Sequence, residues 1–224
     1  MPLLVKQAFI ASEDRRFYDH NGVDIWGIGR ALVRNVRQGA VREGASTITQ
    51  QLARTVFLSQ DRTITRKLKE AALAYKLERQ LSKEQILEQY LNYVYLGASA
   101  YGLSDAAWVY FSKTPDQLNL QEAALIAGLP PAPSVYSPLV NPDLARERRS
   151  IVLNRMQQAG FITASEAEQA RTSPLDLTPA IPKYFNSSAP YFTSWVAQQL
   201  PQLLTPEQIE VGGLKIRTSL NLDW

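Results

Sequence analysis

Apolar positions in this chain recur mostly at helical spacing, and start and stop signals bracket them. Ser82 is followed three residues later by Gln85, a capping box that opens "KEQILEQYLNYVYL", with Gly97 as its stop. Leu120 to Ala127 reads as a short apolar helix halted by Gly128 and "LPPAP". Asn141 is expected to cap a helix with Pro142 at its first position, which runs to about Gln158, before Gly160. Thr163 and Glu166 form another capping box, and "PYFTSWVAQQLPQLL" predicts a last helix, broken near Pro201. Only the end changes period. There Leu214, Ile216 and Thr218 alternate with Lys215 and Arg217, as in a strand. The pattern predicts a mainly α body over residues 1–185. Residues 186–224 are expected to form a connection carrying a short C-terminal β segment, within a piece of a longer protein.

Two stretches break the regular amphipathic pattern. In "DRTITRKLKEAALAYKLERQ", Ile64, Leu68, Ala71 and Tyr75 form one apolar stripe, with Arg62, Arg66, Lys69 and Glu70 opposite. One turn later that opposite side becomes Leu73 and Leu77, so the charges are expected to line a cleft that the domain closes over. A solvated face carrying an Arg66–Glu70 pair is the plainer reading; an anion site for phosphate or pyrophosphate is the functional one. In "IASEDRRFYDHNG", an apolar approach runs straight into Glu13 and Asp14, followed by the chain's single histidine, His20. A carboxylate at the end of an apolar segment suits a base whose pKa burial raises.

Composition narrows the chemistry. Hydrophobic residues at 45% and charged residues at 20% give enough apolar surface for a core and exclude a disordered tail. The net charge of +3 fits an anionic partner without choosing one. The absence of cysteine excludes disulfides, thiolate nucleophiles and zinc–thiolate sites. Five prolines between residues 123 and 142 rule out a membrane-spanning helix across that charge-free run. "VDIWGIGRALVRNVRQGAVR", residues 23–42, mixes apolar residues and Trp26 with four arginines. It reads either as an interfacial membrane segment or as a core helix with a basic outer face. "GASTITQQLARTVFL" lacks the lysine and spacing of a P-loop; alone, it reads as a loop capped by Ser46 or Thr47 entering an amphipathic helix.

Five segments, "EDRRFYDHNGVD", "GASTITQQLAR", "RKLKEAALAYKLE", "KEQILEQYLN" and "RRSIVLNRM", occur in this order. Together they resemble the five motifs of the peptidoglycan glycosyltransferases, glycosyltransferase family 51, found in class A penicillin-binding proteins and monofunctional cell-wall enzymes. The resemblance implies a lysozyme-like helical fold with a small membrane-proximal lobe. It implies polymerisation of lipid II into β-1,4-linked glycan strands, with inversion at the donor carbon and release of undecaprenyl diphosphate. The expected location is the bacterial cell membrane, with the catalytic domain on its periplasmic or extracellular side. Other cell-wall synthesis proteins are candidate partners; nucleic acid is not. The C-terminal "GGLKIRTSLNLD" resembles the lead into a transpeptidase domain.

By resemblance Glu13 is the general base, and Asp14 is placed second on the substrate. Arg54, Arg62 and Lys69 would hold the diphosphate, with Glu70 orienting Lys69 or the donor. Ser46, Thr47, Gln50 and Gln51 would hydrogen-bond sugar or phosphate oxygens. No cofactor is required; a divalent cation such as Mg2+ is an option at the diphosphate, and no metal ligands are assigned. His20, Asn92 and Arg155 read as structural supports, and Glu88 as support for the fold or the acceptor site. Phe17 and Tyr18 are expected to pack behind Glu13. A lysozyme-like hydrolase and a basic nucleic-acid-binding module are the competing readings. The first leaves the cation cluster unexplained, and the second is at odds with Leu73 and Leu77.

Overall fold

A computed structural model describes residues 1–30, 46–58, 64–182, 189–205 and 216–221. The chain divides into two compact units, Met1–Ala180 and Ile181–Trp224.

In the first unit, α1 (Leu3–Glu13) is apolar almost all round, which is the signature of a central helix. Its Val5, Ala8, Phe9, Ile10 and Ala11 are all buried. It packs against α6 (Leu120–Ala127) and α8 (Pro142–Gln158). The run Ala123 to Ala127 is wholly buried, with the small Ala123, Ala124 and Ala127 beside the bulky Leu125 and Ile126. On the other side, α2 (Ile48–Phe57) packs on α3 (Ile64–Gln80) and α4 (Lys83–Tyr93). Further α-helices among the described residues of this unit are α5 (Leu103–Phe111), α7 (Pro133–Tyr136) and α9 (Ala164–Thr172), and residues 25–30 are also helical. The mainly α expectation therefore holds.

The capping boxes at Ser82/Gln85 and Thr163/Glu166 form as the sequence predicts. Two others, Thr47/Gln50 and Asn119/Glu122, start α2 and α6. Asn141 does not cap α8; its side chain donates to Val135 O instead. Buried Arg149 ties α8 to the end of α9, donating to the carbonyls of Arg171, Ser173 and Pro174. Burial lowers its pKa.

Four expectations are corrected. First, α4 stops at Tyr93, four residues before Gly97. Gly97, at φ +81°, turns a tight hairpin whose bridge joins Tyr95 and Tyr101. Second, α5 is a helix that the reading of elements did not include. Third, the apolar stripe of α3 faces outward, with Leu68 68% and Tyr75 55% exposed. The buried residues of this helix are Glu70 and Ala74, one turn apart, because the backbone of Gly22 packs directly on Ala74. Fourth, of the two aromatics expected behind Glu13, Tyr18 is exposed, while Phe17 is buried and packs against His20 and Lys83.

In the second unit, α10 (Pro190–Leu203) runs through Pro201 rather than breaking there. Pro201 lies in the last turn, where its missing N–H removes a single bond. Residues 216–221 carry no strand, and the rest of the expected β segment lies outside the described residues.

Candidate active site

The end of α1 delivers Glu13 to a cavity of about 420 Å³. Among the described residues, its wall carries five arginines (15, 30, 54, 148 and 155) against three carboxylates (Glu13, Asp14 and Asp24). The balance favours an anionic ligand. Glu13 is partly buried and accepts from Ser12 Oγ at 3.2 Å and from Gln51 Nε2 at 3.0 Å. Burial raises its pKa above the ordinary value. The two hydrogen bonds and the charges of Arg155 and Arg148 pull the other way without cancelling that rise.

Asp14 leaves the helix, so its carboxylate points away from that of its neighbour. It is buried between His20 Nε2, at 2.9 and 3.1 Å from its two oxygens, and the Ile48 N–H at 3.1 Å. That N–H belongs to the first turn of α2, where backbone donors lack helical partners and the helix dipole favours an anion. Asp14 thus joins the end of α1 to the start of α2. His20 supports the fold, as its plainer reading has it: its ring meets Asp14, and its carbonyl accepts from Lys83 Nζ at 2.6 Å.

The polar segment is used mainly to build α2. Thr47 Oγ1 accepts from Gln50 N and donates to Gly22 O at 2.6 Å, while Gln50 Oε1 accepts from Thr47 N. Thr47 lines the cavity; Gln50 is buried and does not. Ser46 lines the cavity and accepts from Lys67 Nζ at 2.7 Å. Gln51 also lines it, held between Tyr90 and Glu13. Arg54 is exposed on the same wall.

Glu70 is 1% exposed and lies off the cavity wall. Lys67 Nζ binds its Oε2 at 2.8 Å, and Arg66 Nε stands 3.6 Å from its Oε1. Lys69 is exposed, and the bond to Glu70 comes from Lys67 instead. The reason is rotational: Lys67 precedes Glu70 by three residues and shares its face, whereas Lys69 sits about 100° round. Arg62 lies outside the described residues.

Sequence reasoning missed Lys67 and Arg148. The signal for Arg148 is its spacing of seven from Arg155, two turns along α8, which puts both guanidiniums on the cavity side. Arg148 also stacks on Tyr136, 4.9 Å from the ring centroid, and donates to Gly128 O. Arg155 donates to Ser12 O, beside Glu13. Arg15 donates to Gln158, and Arg16 pairs with Asp24 at 3.5 Å.

Comparison with known proteins gives the same picture. A family model described as Transglycosylase matches residues 1–157. Penicillin-binding protein 1A of Neisseria flavescens is 46% identical over 220 residues, covering 98% of this chain and 27% of that protein. Penicillin-binding protein 1A of Escherichia coli K12 is 51% identical over 199 residues, covering 89% and 23%. The crystal structure of penicillin-binding protein 1A from Haemophilus influenzae superposes with a TM-score of 0.51 at 26% identity, covering 92% of this chain and 20% of that one. The chain therefore spans about a quarter of the length of the relatives it matches.

Proposed function

Because this chain belongs to the transglycosylase family, we propose that it is a peptidoglycan glycosyltransferase, polymerising lipid II into β-1,4-linked glycan strands with Glu13 as general base. One observation carries the reading: a partly buried carboxylate of raised pKa, at the end of an apolar helix, opens onto a cavity walled by arginines. As the sugar 4-hydroxyl attacks C1 of the donor, Glu13 takes its proton. The C1–O bond breaks, and the electron pair leaves with the lipid diphosphate. That leaving group needs neutralised charge more than a proton, which a cationic wall supplies.

The structure favours a revised cation set for this role: Arg54 on the cavity wall, and Lys67, poised between Ser46 and Glu70, in place of Lys69. Glu70 orients Lys67. Its place off the cavity wall argues against the acid role that a hydrolase needs. Among the described residues no group of three or more His, Asp or Glu could hold a metal, so a divalent cation such as Mg2+ would come with the diphosphate.

A membrane partner is supported by exposed apolar side chains at Ile25 and Trp26, each 77% exposed, with Ile28 beside them. Among the described residues no helix is long and apolar enough to cross a membrane. We read the location as the outer face of the bacterial cell membrane. Residues 186–224 then lead from this domain towards a transpeptidase domain.

The test is polymerisation of labelled lipid II in detergent. Strands from the wild type, and none from a folded Glu13→Gln, support both reaction and base. A folded wild type that makes no polymer, even with a membrane anchor restored, overturns the assignment.

A further inference from the structure

Three helices meet at the base. Glu13 ends α1, Gln51 stands on α2 and Tyr90 on α4. Tyr90 is 2% exposed and packs edge-to-face on Phe9 of α1, with centroids 6.2 Å apart. Its hydroxyl donates to Gln51 Oε1 at 3.2 Å, and Gln51 Nε2 donates to Glu13 Oε2 at 3.0 Å. We propose that Tyr90 is a positioning residue for the base: by holding Gln51 Oε1, it fixes which end of the amide faces Glu13 and keeps the carboxylate aimed into the cavity. This rests on the assignment of Glu13 as base.

The argument is one of donors and acceptors. An amide side chain has a donor end and an acceptor end that differ little in shape. While Glu13 is ionised, its charge alone attracts the donor end. Once Glu13 has taken a proton that attraction falls, and the carboxyl could donate to Gln51 Oε1 after an amide flip. The flip would stabilise the protonated acid and tie up the oxygen needed for the next cycle. The Tyr90 hydroxyl opposes it: Gln51 Oε1 is the acceptor the structure gives that buried O–H, and a flip would turn the amide NH2 towards the phenol oxygen and leave the phenol hydrogen without that acceptor. Burial pushes the Tyr90 pKa well up, with the Glu13 charge adding to the rise, so the phenol stays protonated and remains a donor. The other charged groups around the cavity with Glu13 are Arg54 from α2, Arg148 and Arg155 from α8, Asp14 and Arg15 beside it, and Asp24 and Arg30. The Gln51 amide is bonded at its oxygen by Tyr90 and at its nitrogen by Glu13.

The test uses the full chain with 13C-labelled glutamate. The carboxyl titration of Glu13 is followed by NMR in the wild type, Tyr90→Phe, Gln51→Ala and the double variant. Tyr90→Phe keeps the ring and its packing. It is expected to move the Glu13 midpoint up by about half a pH unit or more, as loss of an oriented donor to a carboxylate does. Gln51→Ala should move it at least as far, and the double variant no further than Gln51→Ala alone. In lipid II polymerisation, the acidic limb of the kcat profile should rise with the midpoint. The kcat of Tyr90→Phe should fall roughly threefold or more, with KM little changed. A purely structural role would lower Tm and leave the Glu13 titration in place. An unmoved midpoint in Tyr90→Phe, or effects that add in the double variant, would overturn the proposal. A wild type without polymerase activity would instead sink the assignment of the base, and the titration would still decide whether Tyr90 orients Gln51.

Discussion

Replacing Asp14 by asparagine keeps the shape of the side chain and removes its charge. In the native structure the carboxylate accepts from two buried donors, His20 Nε2 and the Ile48 N–H. Both donors reach the same oxygen, Oδ2, and His20 Nε2 also stands 3.1 Å from Oδ1. With the asparagine oxygen at the Oδ2 position both donors keep an acceptor, but that acceptor has lost its charge, and an NH2 donor now faces His20 Nε2 where Oδ1 accepted. With the amide reversed, its NH2 meets both donors. The better arrangement therefore weakens two buried charge-assisted bonds and sets one donor against another, at a cost of about 2–4 kcal/mol. For a domain of this size, that is roughly a 5–15 °C fall in Tm. Thermal and urea unfolding of the 224-residue chain at neutral pH, followed by circular dichroism, measures it. The companion measurement is the Asp14→Asn/His20→Ala double variant, whose cost should fall short of the sum of the singles. Stability within about 0.5 kcal/mol of wild type, or strictly additive losses, would refute the view that this carboxylate clasps α1 to α2.

Glu13→Gln should be more stable than the wild type at pH 7. The folded pKa is raised, so the ionised carboxylate costs stability above the ordinary value of 4.5, and the cost grows as pH rises through the folded value. Unfolding curves should converge near pH 4, and a variant less stable at pH 7 contradicts the sign. Lys67→Met should cut polymerisation of lipid II by about tenfold or more, while Lys69→Met should stay within about twofold; the reverse ranking returns the role to Lys69. Ile25→Ser with Trp26→Ser should weaken co-sedimentation with anionic vesicles by roughly tenfold, and unchanged binding removes these side chains from the membrane contact.

Where a signal is local, the sequence is a good guide. Ser82/Gln85 and Thr163/Glu166 form within four residues, so their capping chemistry is decided by neighbours in the chain. Glu13 at the end of an apolar run follows the same logic, since the run itself supplies the burial. The orientation of α3 was not legible from periodicity, because Leu68 and Tyr75 look like a core stripe until Gly22 is known to press on Ala74. The choice between Lys67 and Lys69 depends on that rotation. Likewise, Thr47 and Gln50 look like ligand groups by resemblance, yet they close a capping box on each other at the start of α2, as the plainer reading of a Thr47 cap has it, and only the bond from Thr47 to the distant Gly22 carbonyl needed the fold.

The bond from Arg155 to the Ser12 carbonyl also bears on synthesis. It joins residues 143 positions apart, and Arg15 to Gln158 spans the same distance. At ordinary translation rates the ribosome needs roughly ten to thirty seconds to go from one partner to the other. For most of that interval α1, among the most apolar helices of the chain, has neither α6 nor α8 to cover it: α6 begins only at Leu120, and α8 is complete only at Gln158. Closing so long a loop is also the slow, non-local kind of event that sets folding rates. A nascent chain released before residue 155 would therefore carry Glu13 without the helix that backs it. It would also expose the apolar surface that binds chaperones or aggregates, so the surroundings of Glu13, the base proposed above, are complete only when nearly the whole helical domain has been made.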